Sequence, residues 1–333
     1  MFQNKASKLK KFSIFVSLMA MSCFAVYGAY NFTILSYHFF EPKLEDINAK
    51  LKVSFGRDVV VKDGFGGPFA DSFEEEPISY LKKYIVKDEK PFPKISAKYF
   101  LVGDIETGQI IVSKDESKSV PIASLTKLMT SVVADENIGL QQETAISNTA
   151  VDTYGKQGKL NRGEVYKVEE LLYPLLLESS NDAAEAIAEY DNHYSFMLDM
   201  NAKAKLLDMK ETSFEDPSGL SKNNVSSAND LFKLVQYINK YRSYILDISK
   251  EKSYRIDKKV WYSNSKFRND KNYLGGKNGY TDEAGKTNIG IFSLPLEGEY
   301  GFRKIVIIVL NSVDTEKDTR SIISFLNKNV YYQ

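Results

Sequence analysis

Residues 98–114 read KYFLVGDIETGQIIVSK, and this stretch decides the fold class because two strand-like runs flank a Glu-Thr-Gly turn. Such a pattern predicts a β-hairpin. A second hairpin is predicted where NIGIFSLPL (288–296) and FRKIVIIVLNS (302–312) stand on either side of the loop EGEYG. The chain therefore carries strand pairs at both ends of its compact part, which we predict to extend over residues 96–333.

Apolar residues recur at helical spacing between the two hairpins and again after the second one. Pro121 stands just before the first of these helices, the second is broken near residues 178–181, and a serine cap opens the third. The four helical stretches are VPIASLTKLMTSVVADEN (120–137), VEELLYPLLLESSNDAAEAIAEY (168–190), SSANDLFKLVQYINKY (226–241) and DTEKDTRSIISFLNKNV (314–330). Helices between terminal strand pairs predict an α+β fold, with an antiparallel sheet flanked by helices and an all-helical cluster beside it.

The composition excludes several classes of protein. The 333 residues include 44 lysines and arginines and 44 aspartates and glutamates, so a nucleic-acid partner is not expected. Cys23 is the single cysteine, which excludes an internal disulfide and a thiolate metal cage. The two histidines, His38 and His193, are too few and too far apart in sequence to suggest a metal site, and no cofactor is expected. If the protein is a hydrolase, we expect its base to be a residue other than histidine.

The first forty residues predict a membrane anchor. Residues 1–11 carry four lysines and no acid, and residues 12–40 contain no Asp, Glu, Lys or Arg. The second segment is long enough to span a bilayer, and the lysines before it place the N-terminus in the cytoplasm and the rest of the chain outside. Two alternatives remain, a signal peptide cleaved after Ala20-Met21-Ser22 and a lipid-modified Cys23. Few residues follow the last predicted helix, so we expect the N-terminal segment to do the anchoring.

Residues 41–95 differ in composition from the rest of the chain and predict an extracytoplasmic linker. Their turn-forming and charged stretches are GFGGPF (64–69), the acidic run 74–76 and KPFPK (90–94). VSFGRDVVV (53–61) alternates like a strand, so a small accessory fold is the alternative.

Ser124 and Lys127 form a Ser-x-x-Lys motif at a predicted helix start. Residues three apart share a helix face, so a neutral lysine can take the serine proton, and the serine lies at the positive end of the helix. The motif alone is unspecific, because it also occurs at 7/10, 249/252 and 263/266. Only the 124/127 copy combines a helix start with apolar flanking residues, so we predict a serine nucleophile there.

Two further polar triplets carry candidate residues. Ser179-Ser180-Asn181 falls in the break between two apolar helices, where it either faces a cleft or supplies Asn181 as the cap of the next helix. Lys277-Asn278-Gly279 follows Leu-Gly-Gly and precedes a turn. A lysine on an edge strand can bind a substrate carboxylate, and the glycine lets a ligand approach the backbone. The alternative is a solvated lysine in a turn.

The order of these three motifs resembles that of the penicillin-recognising serine enzymes. Their surroundings are similar to those in the D-alanyl-D-alanine carboxypeptidases of peptidoglycan metabolism, serine peptidase family S11. The stretches that carry the resemblance are PIASLTKLMT (121–130), ELLYPLLLESSNDAAEAIAEY (170–190), DPSGLS (216–221) and GGKNGYTDEAGKT (275–287). The resemblance covers about residues 95–330 and implies the transpeptidase-like fold of DD-peptidases and β-lactamases, with a catalytic domain over residues 96–333.

The resemblance also implies a role for each matched residue. Ser124 is expected to be the acylated nucleophile and Lys127 its general base. Ser179 is expected to relay a proton to the leaving D-alanine amine, and Asn181 to hold Lys127 and the substrate amide. The backbone N–H groups of Ser124 and Tyr280 are expected to form the oxyanion hole. The expected substrate-binding residues, with Lys277 on the terminal carboxylate, are Lys277, Asn278, Gly279, Tyr280 and Thr281.

The implied function is that of a membrane-tethered carboxypeptidase. Its substrates are expected to be peptidoglycan stem peptides ending in D-Ala-D-Ala, from which it removes the terminal D-alanine, and β-lactams are expected to inhibit it. One departure from the family matters, because the middle residue of the usual Lys-Thr-Gly triplet is Asn278. An amide in place of the hydroxyl predicts a poorer contact with the substrate carboxylate. A catalytically weak or inactive homologue that binds peptidoglycan or β-lactams is therefore the alternative.

A β-lactamase is a further alternative, and the sequence argues against it. Such an enzyme needs a base that hydrolyses the acyl-enzyme, typically the glutamate of a Glu-x-x-Leu-Asn pattern. The nearest match, QGKLN (157–161), has Gln157 at that position and precedes Ser179 rather than following it.

Overall fold

The computed structural model describes residues 84–86, 91–155, 158–296 and 301–332, all within the unit Ile78–Gln333. The predicted segments 1–11 and 12–40, most of the predicted linker 41–95 and the strand-like stretch 53–61 lie outside the described residues. Within the described ranges, no helix has the length and apolar character needed to span a bilayer.

The described elements are numbered in chain order. The strands are β1 (Tyr84–Val86), β2 (Tyr99–Asp104), β3 (Ile110–Lys114), β4 (Val120–Pro121), β5 (Glu143–Ala145), β6 (Val165–Lys167), β7 (Val225–Ser226), β8 (Ser253–Ile256), β9 (Lys259–Tyr262), β10 (Tyr273–Thr281), β11 (Gly285–Pro295), β12 (Phe302–Ser312) and β13 (Val330–Tyr332). The helices are α1 (Lys127–Val133), α2 (Asn148–Asp152), α3 (Val168–Tyr173), α4 (Asn181–Ala188), α5 (His193–Leu206), α6 (Ala228–Tyr241), α7 (Tyr244–Lys250) and α8 (Thr315–Asn329).

An antiparallel five-stranded sheet forms the centre of the fold. Its strand order is β10-β11-β12-β2-β3, so β10 and β3 are the edge strands. Both predicted hairpins are confirmed: β2 pairs with β3, with Val102 opposite Val112, and β11 pairs with β12, with Ile291 opposite Val306. The two hairpins lie side by side because β12 also pairs with β2. The α+β prediction is confirmed, since helices pack against this sheet.

The apolar run of β12 is buried because both faces of the sheet are covered. Ile305, Ile307 and Val309 belong to the core cluster that includes α8 residues such as Leu326. The alternate residues Val306, Ile308 and Leu310 belong to the larger cluster, which contains the helices between the hairpins. A strand buried on both faces reads as a continuous apolar run rather than an alternation.

The helical cluster begins at the first predicted helix, which consists of the 3₁₀ turn Ala123–Thr126, α1 and the π-helical turn Ala134–Ile138. All seven residues of α1 are buried. The predicted break in the second helical stretch is confirmed between the π-helical turn Pro174–Glu178 and α4. Helix α6 lies so close to the sheet that a Cβ at Gly103 would come within 2.8 Å of the Phe232 ring. Lys127 of α1 and Asn181 of α4 extend into the site described below.

The strand β1 lies within the segment that the sequence predicts to be a linker. It pairs with β13, with Tyr84 opposite Tyr332, so the folded unit already includes residues before position 96. The Tyr84 hydroxyl donates to the fully buried carboxylate of Asp104, at 2.6 Å. Arg303 donates to the same Oδ2 from Nε (3.0 Å) and Nη2 (2.6 Å). The first and last described strands are thus joined to the central sheet through one buried ion pair.

We expect this ion pair to contribute strongly to the stability of the region where the β1–β13 pair meets the central strands β2 and β12. Replacing Arg303 with methionine leaves the Asp104 carboxylate buried without its cation and should lower the free energy of unfolding by about 3–5 kcal/mol. The neighbouring Lys304 pairs with Glu106 at 3.6 Å, and both side chains are nearly half exposed. Lys304→Met should therefore cost less than about 1 kcal/mol. Urea unfolding followed by the fluorescence of the single tryptophan, buried Trp261, measures both values. Equal losses in the two variants would contradict the assignment.

Candidate active site

Ser124 lies in a strained turn just ahead of α1. The residue before it, Ala123, has a φ of +51°, which is unusual for a residue other than glycine. The turn is fixed on one side by the short β4–β7 pair and on the other by Thr287, whose hydroxyl donates to the Ile122 carbonyl at 3.1 Å. Ser124 is half-buried and lines a cleft of about 460 Å³. The predicted nucleophile is therefore presented at the mouth of a concave site.

Lys127 is fully buried beneath Ser124, and its amine lies 3.0 Å from the Ser124 Oγ. The same Nζ donates to the Asn181 Oδ1 at 2.7 Å and to the Ser218 carbonyl at 2.6 Å. A neutral amine has two N–H donors and one lone pair. Because Asn181 and Ser218 accept the two donors, the lone pair is left facing the serine hydroxyl.

The surroundings of Lys127 disfavour its charged form. Burial has the largest effect and the like charge of Lys277 the second, and together they hold the pKa of Lys127 well below that of a free lysine. The carboxylate of Asp216 opposes this shift. The geometry and the charge environment therefore both suit a general base.

Ser179 and Asn181 reach the site from the break between two helices. Ser179 adopts a left-handed conformation, with φ +65°, that ends the preceding π-helical turn. Asn181 donates from Nδ2 to the Tyr154 carbonyl at 2.7 Å, in addition to accepting from Lys127. The alternative in which Asn181 caps the next helix is wrong, because the Ser180 hydroxyl accepts the Ala183 N–H and caps α4.

Lys277 lies on the edge strand β10 and is only 2% exposed. Its amine donates to the Ser179 Oγ at 2.9 Å and to the Asn278 carbonyl at 2.8 Å. Burial lowers the pKa of Lys277 to about 7. The alternative of a solvated turn lysine is therefore wrong, since the amine is held against Ser179 below the cleft.

Two glycines permit the backbone to approach Ser124. A Cβ at Gly279 would lie 2.8 Å from the Ser124 nitrogen, so β10 passes directly beside the N–H that is expected in the oxyanion hole. Gly219 has a φ of +86°, and a Cβ there would lie 2.0 Å from the Ala123 carbonyl oxygen. A side chain at either position would push the nucleophile turn away from its neighbours.

The remaining predicted binding residues line the same cleft at the end of β10. Asn278 is half-buried, while the Tyr280 ring is 63% exposed and its hydroxyl donates to Asp282 at 2.7 Å. The Thr281 hydroxyl accepts the Ala284 N–H at 3.1 Å and so stabilises the β10–β11 turn. The Tyr280 N–H stays the predicted second donor of the oxyanion hole.

Asp216 is a functional candidate to which sequence reasoning assigned no role. Burial alone raises the pKa of its carboxyl, but hydrogen bonds from the following loop outweigh that effect and lower it. The donors are the N–H groups of Ser218, Gly219 and Ser221, the Ser218 hydroxyl and the Asn224 amide. Asp216 thereby holds the loop in the shape that directs the Ser218 carbonyl to Lys127. The Asp-Pro-Ser-Gly sequence at 216–219 is the signal that marks this turn.

The other Ser-x-x-Lys copies have structural roles or lie outside the described residues. The Ser249 hydroxyl donates to the Leu246 carbonyl and accepts the Gly276 N–H at 2.9 Å, which supports β10. The Ser263 hydroxyl accepts the Ser265 N–H at 3.3 Å, and Lys266 is exposed. The 7/10 copy lies outside the described residues. The prediction that the 249/252 and 263/266 copies are not catalytic is therefore supported by the structural hydrogen bonds of Ser249 and Ser263.

Comparison with known proteins agrees with this site. Residues 86–293 match the family model of peptidase S11, described as D-alanyl-D-alanine carboxypeptidase. The D-alanyl-D-alanine carboxypeptidase DacF of Bacillus subtilis is 33% identical over 202 residues, which are 56% of this chain and 52% of that protein. A D-alanyl-D-alanine endopeptidase of Pseudomonas aeruginosa is 39% identical over 140 residues, 40% of this chain and 45% of that protein. The chain thus matches about half the length of these two relatives.

A solved structure gives the same result at the level of the fold. Penicillin-binding protein D2 of Listeria monocytogenes, in a cefotaxime-bound crystal structure, is 28% identical, with a TM-score of 0.62. The comparison covers 72% of this chain and 100% of that one. Together with the family match over more than half of the sequence, this places the three motifs in the architecture that the resemblance implies. The chain belongs to the peptidase S11 family, the D-alanyl-D-alanine carboxypeptidases.

Proposed function

We propose that this protein is a serine-type D-alanyl-D-alanine carboxypeptidase that removes the terminal D-alanine of peptidoglycan stem peptides through a serine acyl-enzyme. The observation that carries the proposal is the buried amine of Lys127, 3.0 Å from the Ser124 hydroxyl and with its two N–H groups accepted by other residues. Family membership and the order of the three motifs support the same activity. The same nucleophile makes β-lactams the expected inhibitors.

The first half of the reaction forms the acyl-enzyme. Neutral Lys127 takes the Ser124 proton, and the serine oxygen bonds to the carbonyl carbon of the penultimate D-alanine. The carbonyl oxygen becomes an oxyanion, and the Ser124 N–H beside Gly279 is one donor positioned to stabilise it. As the C–N bond breaks, the leaving amine takes a proton from the Ser179 hydroxyl, which Lys277 resupplies across their 2.9 Å hydrogen bond.

The second half releases the shortened peptide. A water molecule replaces the departed D-alanine in the cleft and attacks the ester carbon. Before that attack, the proton that Lys127 took from Ser124 passes to the Lys277 amine, which gave one up through Ser179, so both amines are restored and neutral Lys127 can deprotonate the water. The peptide leaves with a new carboxylate, and the proton returns to Ser124.

We also propose that the protein is held at the outer face of the cytoplasmic membrane by its N-terminal segment. The support is the sequence alone: residues 12–40 lack Asp, Glu, Lys and Arg, and four lysines precede them. A cleaved signal peptide and a lipid-modified Cys23 are the other forms of the mature chain that this segment allows.

Asn278 favours a second candidate function, that of a weak or inactive homologue that retains the fold and binds peptidoglycan or β-lactams. The residue lines the cleft where the resembling family has a threonine hydroxyl. The two candidates differ in one observable property, because an inactive site forms no covalent adduct with a penicillin.

We predict that benzylpenicillin forms a covalent adduct with the full-length protein at Ser124. Intact mass and peptide mapping should locate one adduct there, and Ser124→Ala should abolish it, because the Ser124 hydroxyl faces the lone pair of the buried Lys127 amine at 3.0 Å, whereas the Ser179 hydroxyl accepts a hydrogen bond from Lys277. Ser263→Ala, which removes the serine of another Ser-x-x-Lys copy, should be labelled like the parent. An adduct that survives in Ser124→Ala, or that maps to Ser263, would contradict the nucleophile assignment. No adduct in the parent would favour the inactive homologue.

We predict that the full-length protein stays in the membrane fraction after a high-salt wash, because apolar insertion does not depend on screened charges. A chain that begins near Glu41 should appear in the soluble fraction and still be labelled by penicillin. The intact mass of the mature protein separates the alternatives. A mature chain that starts at a diacylated Cys23 would show that the uncleaved anchor is wrong.

A further inference from the structure

Asn288 is a buried amide to which the proposed reaction has so far given no role. It lies on β11 and is 5% exposed, and its Nδ2 has no hydrogen-bond partner among the described residues. Native proteins pair nearly all of their buried N–H groups, because an unpaired one destabilises the fold. Because Asn288 lines the cleft while its Nδ2 has no exposed surface, a turn of the amide would bring this donor to a ligand that supplies the acceptor.

The position of Asn288 puts it beside a residue of the third motif. In the antiparallel pair β10–β11, Asn288 lies directly opposite Asn278. Directly opposite residues project from the same face, with their Cβ atoms about 4.5–5.5 Å apart. Both side chains line the cleft that contains Ser124. Two residues farther along β11 is Gly290. A Cβ there would come within 3.3 Å of the Asn288 Nδ2, so the amide nitrogen lies in the space that the missing side chain leaves.

The charges around these two amides favour an anionic acceptor. Lys266 and Lys286 line the same cleft and are exposed, and neither makes an ion pair within the described part of the chain. Three acids line the cleft as well, but all three are engaged, and the first, Glu178, accepts the Tyr262 N–H and pairs with Lys159 at 3.7 Å. Asp314 caps the start of α8, and Glu316 pairs with Arg320 at 3.0 Å. The cleft therefore offers two amides and two unpaired cations to a carboxylate.

We propose that Asn278 and Asn288 form a two-amide clamp that binds the terminal carboxylate of the substrate. The inference rests on the proposed carboxypeptidase function and names Asn288 as a further substrate-binding residue for it. Each carboxylate oxygen can accept one amide N–H. The second amide compensates for the hydroxyl that the family motif has at position 278. Asn278 is then one half of a different carboxylate site, and the poorer contact expected from its sequence does not follow.

The test compares benzylpenicillin, whose carboxylate stands for the terminal carboxylate of the substrate, with its methyl ester, which lacks that charge. The second-order rate of acylation of the full chain is measured by intact mass for the parent and for Asn288→Leu, which keeps the branched shape and removes the donor. We expect Asn288→Leu to slow acylation by benzylpenicillin about tenfold, as loss of one hydrogen bond to a charged group implies. Acylation by the methyl ester should change by less than about threefold.

Two further variants guard against a merely structural effect. Asn288→Asp keeps the shape but puts a carboxylate opposite the ligand carboxylate, so it should slow benzylpenicillin more than Asn288→Leu does and leave the ester unaffected. Asn272→Leu changes an exposed asparagine just before β10 and should match the parent with both reagents. The ratio of the two rates is taken within each variant, so partial loss of folded protein cancels.

The outcomes separate this inference from the function on which it rests. The two-amide clamp would be overturned if the ratio of the acylation rates with benzylpenicillin and with its methyl ester were the same in Asn288→Leu and Asn288→Asp as in the parent. The carboxypeptidase assignment would then stay intact. The clamp would also be overturned if both variants slowed acylation by benzylpenicillin and by the methyl ester equally. Asn288 would then stabilise the fold rather than bind the carboxylate. A parent that neither reagent acylates would overturn the proposed function and the clamp with it.

Discussion

The hydrogen bond between the Lys127 amine and the Ser124 hydroxyl depends on an amine that is buried, oriented and close to neutral. Four features of the fold meet that requirement. Helix α1 is buried along its whole length, so the lysine cannot reach solvent. The loop held by Asp216 directs a carbonyl at the amine, and the break before α4 brings Asn181 to its other N–H. The edge strand β10 then closes the cleft and brings Lys277, a second buried lysine, under the same site.

The two buried lysines have different roles because their partners differ. Lys127 contacts an amide oxygen and a backbone carbonyl, neither of which carries a full charge, so little offsets the loss of hydration that burial imposes. Lys277 contacts the Ser179 hydroxyl and a carbonyl, and burial lowers its pKa to about 7. An amine that titrates near neutral pH can pass protons to Ser179 in both directions, whereas one that is strongly shifted serves as a base.

Much of the fold could be predicted from the sequence, because the hairpins and four helical stretches carry clear periodic patterns. Helix α5 was not predicted, since apolar residues such as buried Phe196 and exposed Leu198 fall on opposite sides and define no single face. The strand β1 was missed because its pairing with β13 joins residues almost 250 positions apart, which no local pattern encodes. The catalytic motifs could be identified from their order and from the residues around them, but the geometry of the site could not be predicted. Two details depend on backbone conformation and strand register: Ser180 rather than Asn181 caps α4, and Asn278 lies opposite Asn288.

The charge state of Lys127 is the central claim, and the pH dependence of acylation by a penicillin tests it most directly. Because only the neutral amine accepts the serine proton, the rate in the parent should rise with pH through an apparent pKa well below the value of about 10.4 for a free lysine. Lys277→Ala removes a like charge that lowers the pKa of Lys127, so the apparent pKa should move upward. Lys266→Ala, which removes an exposed lysine of the same cleft, should leave it in place. A parent rate that keeps rising to about pH 10, or an apparent pKa that does not move in Lys277→Ala, would contradict the account.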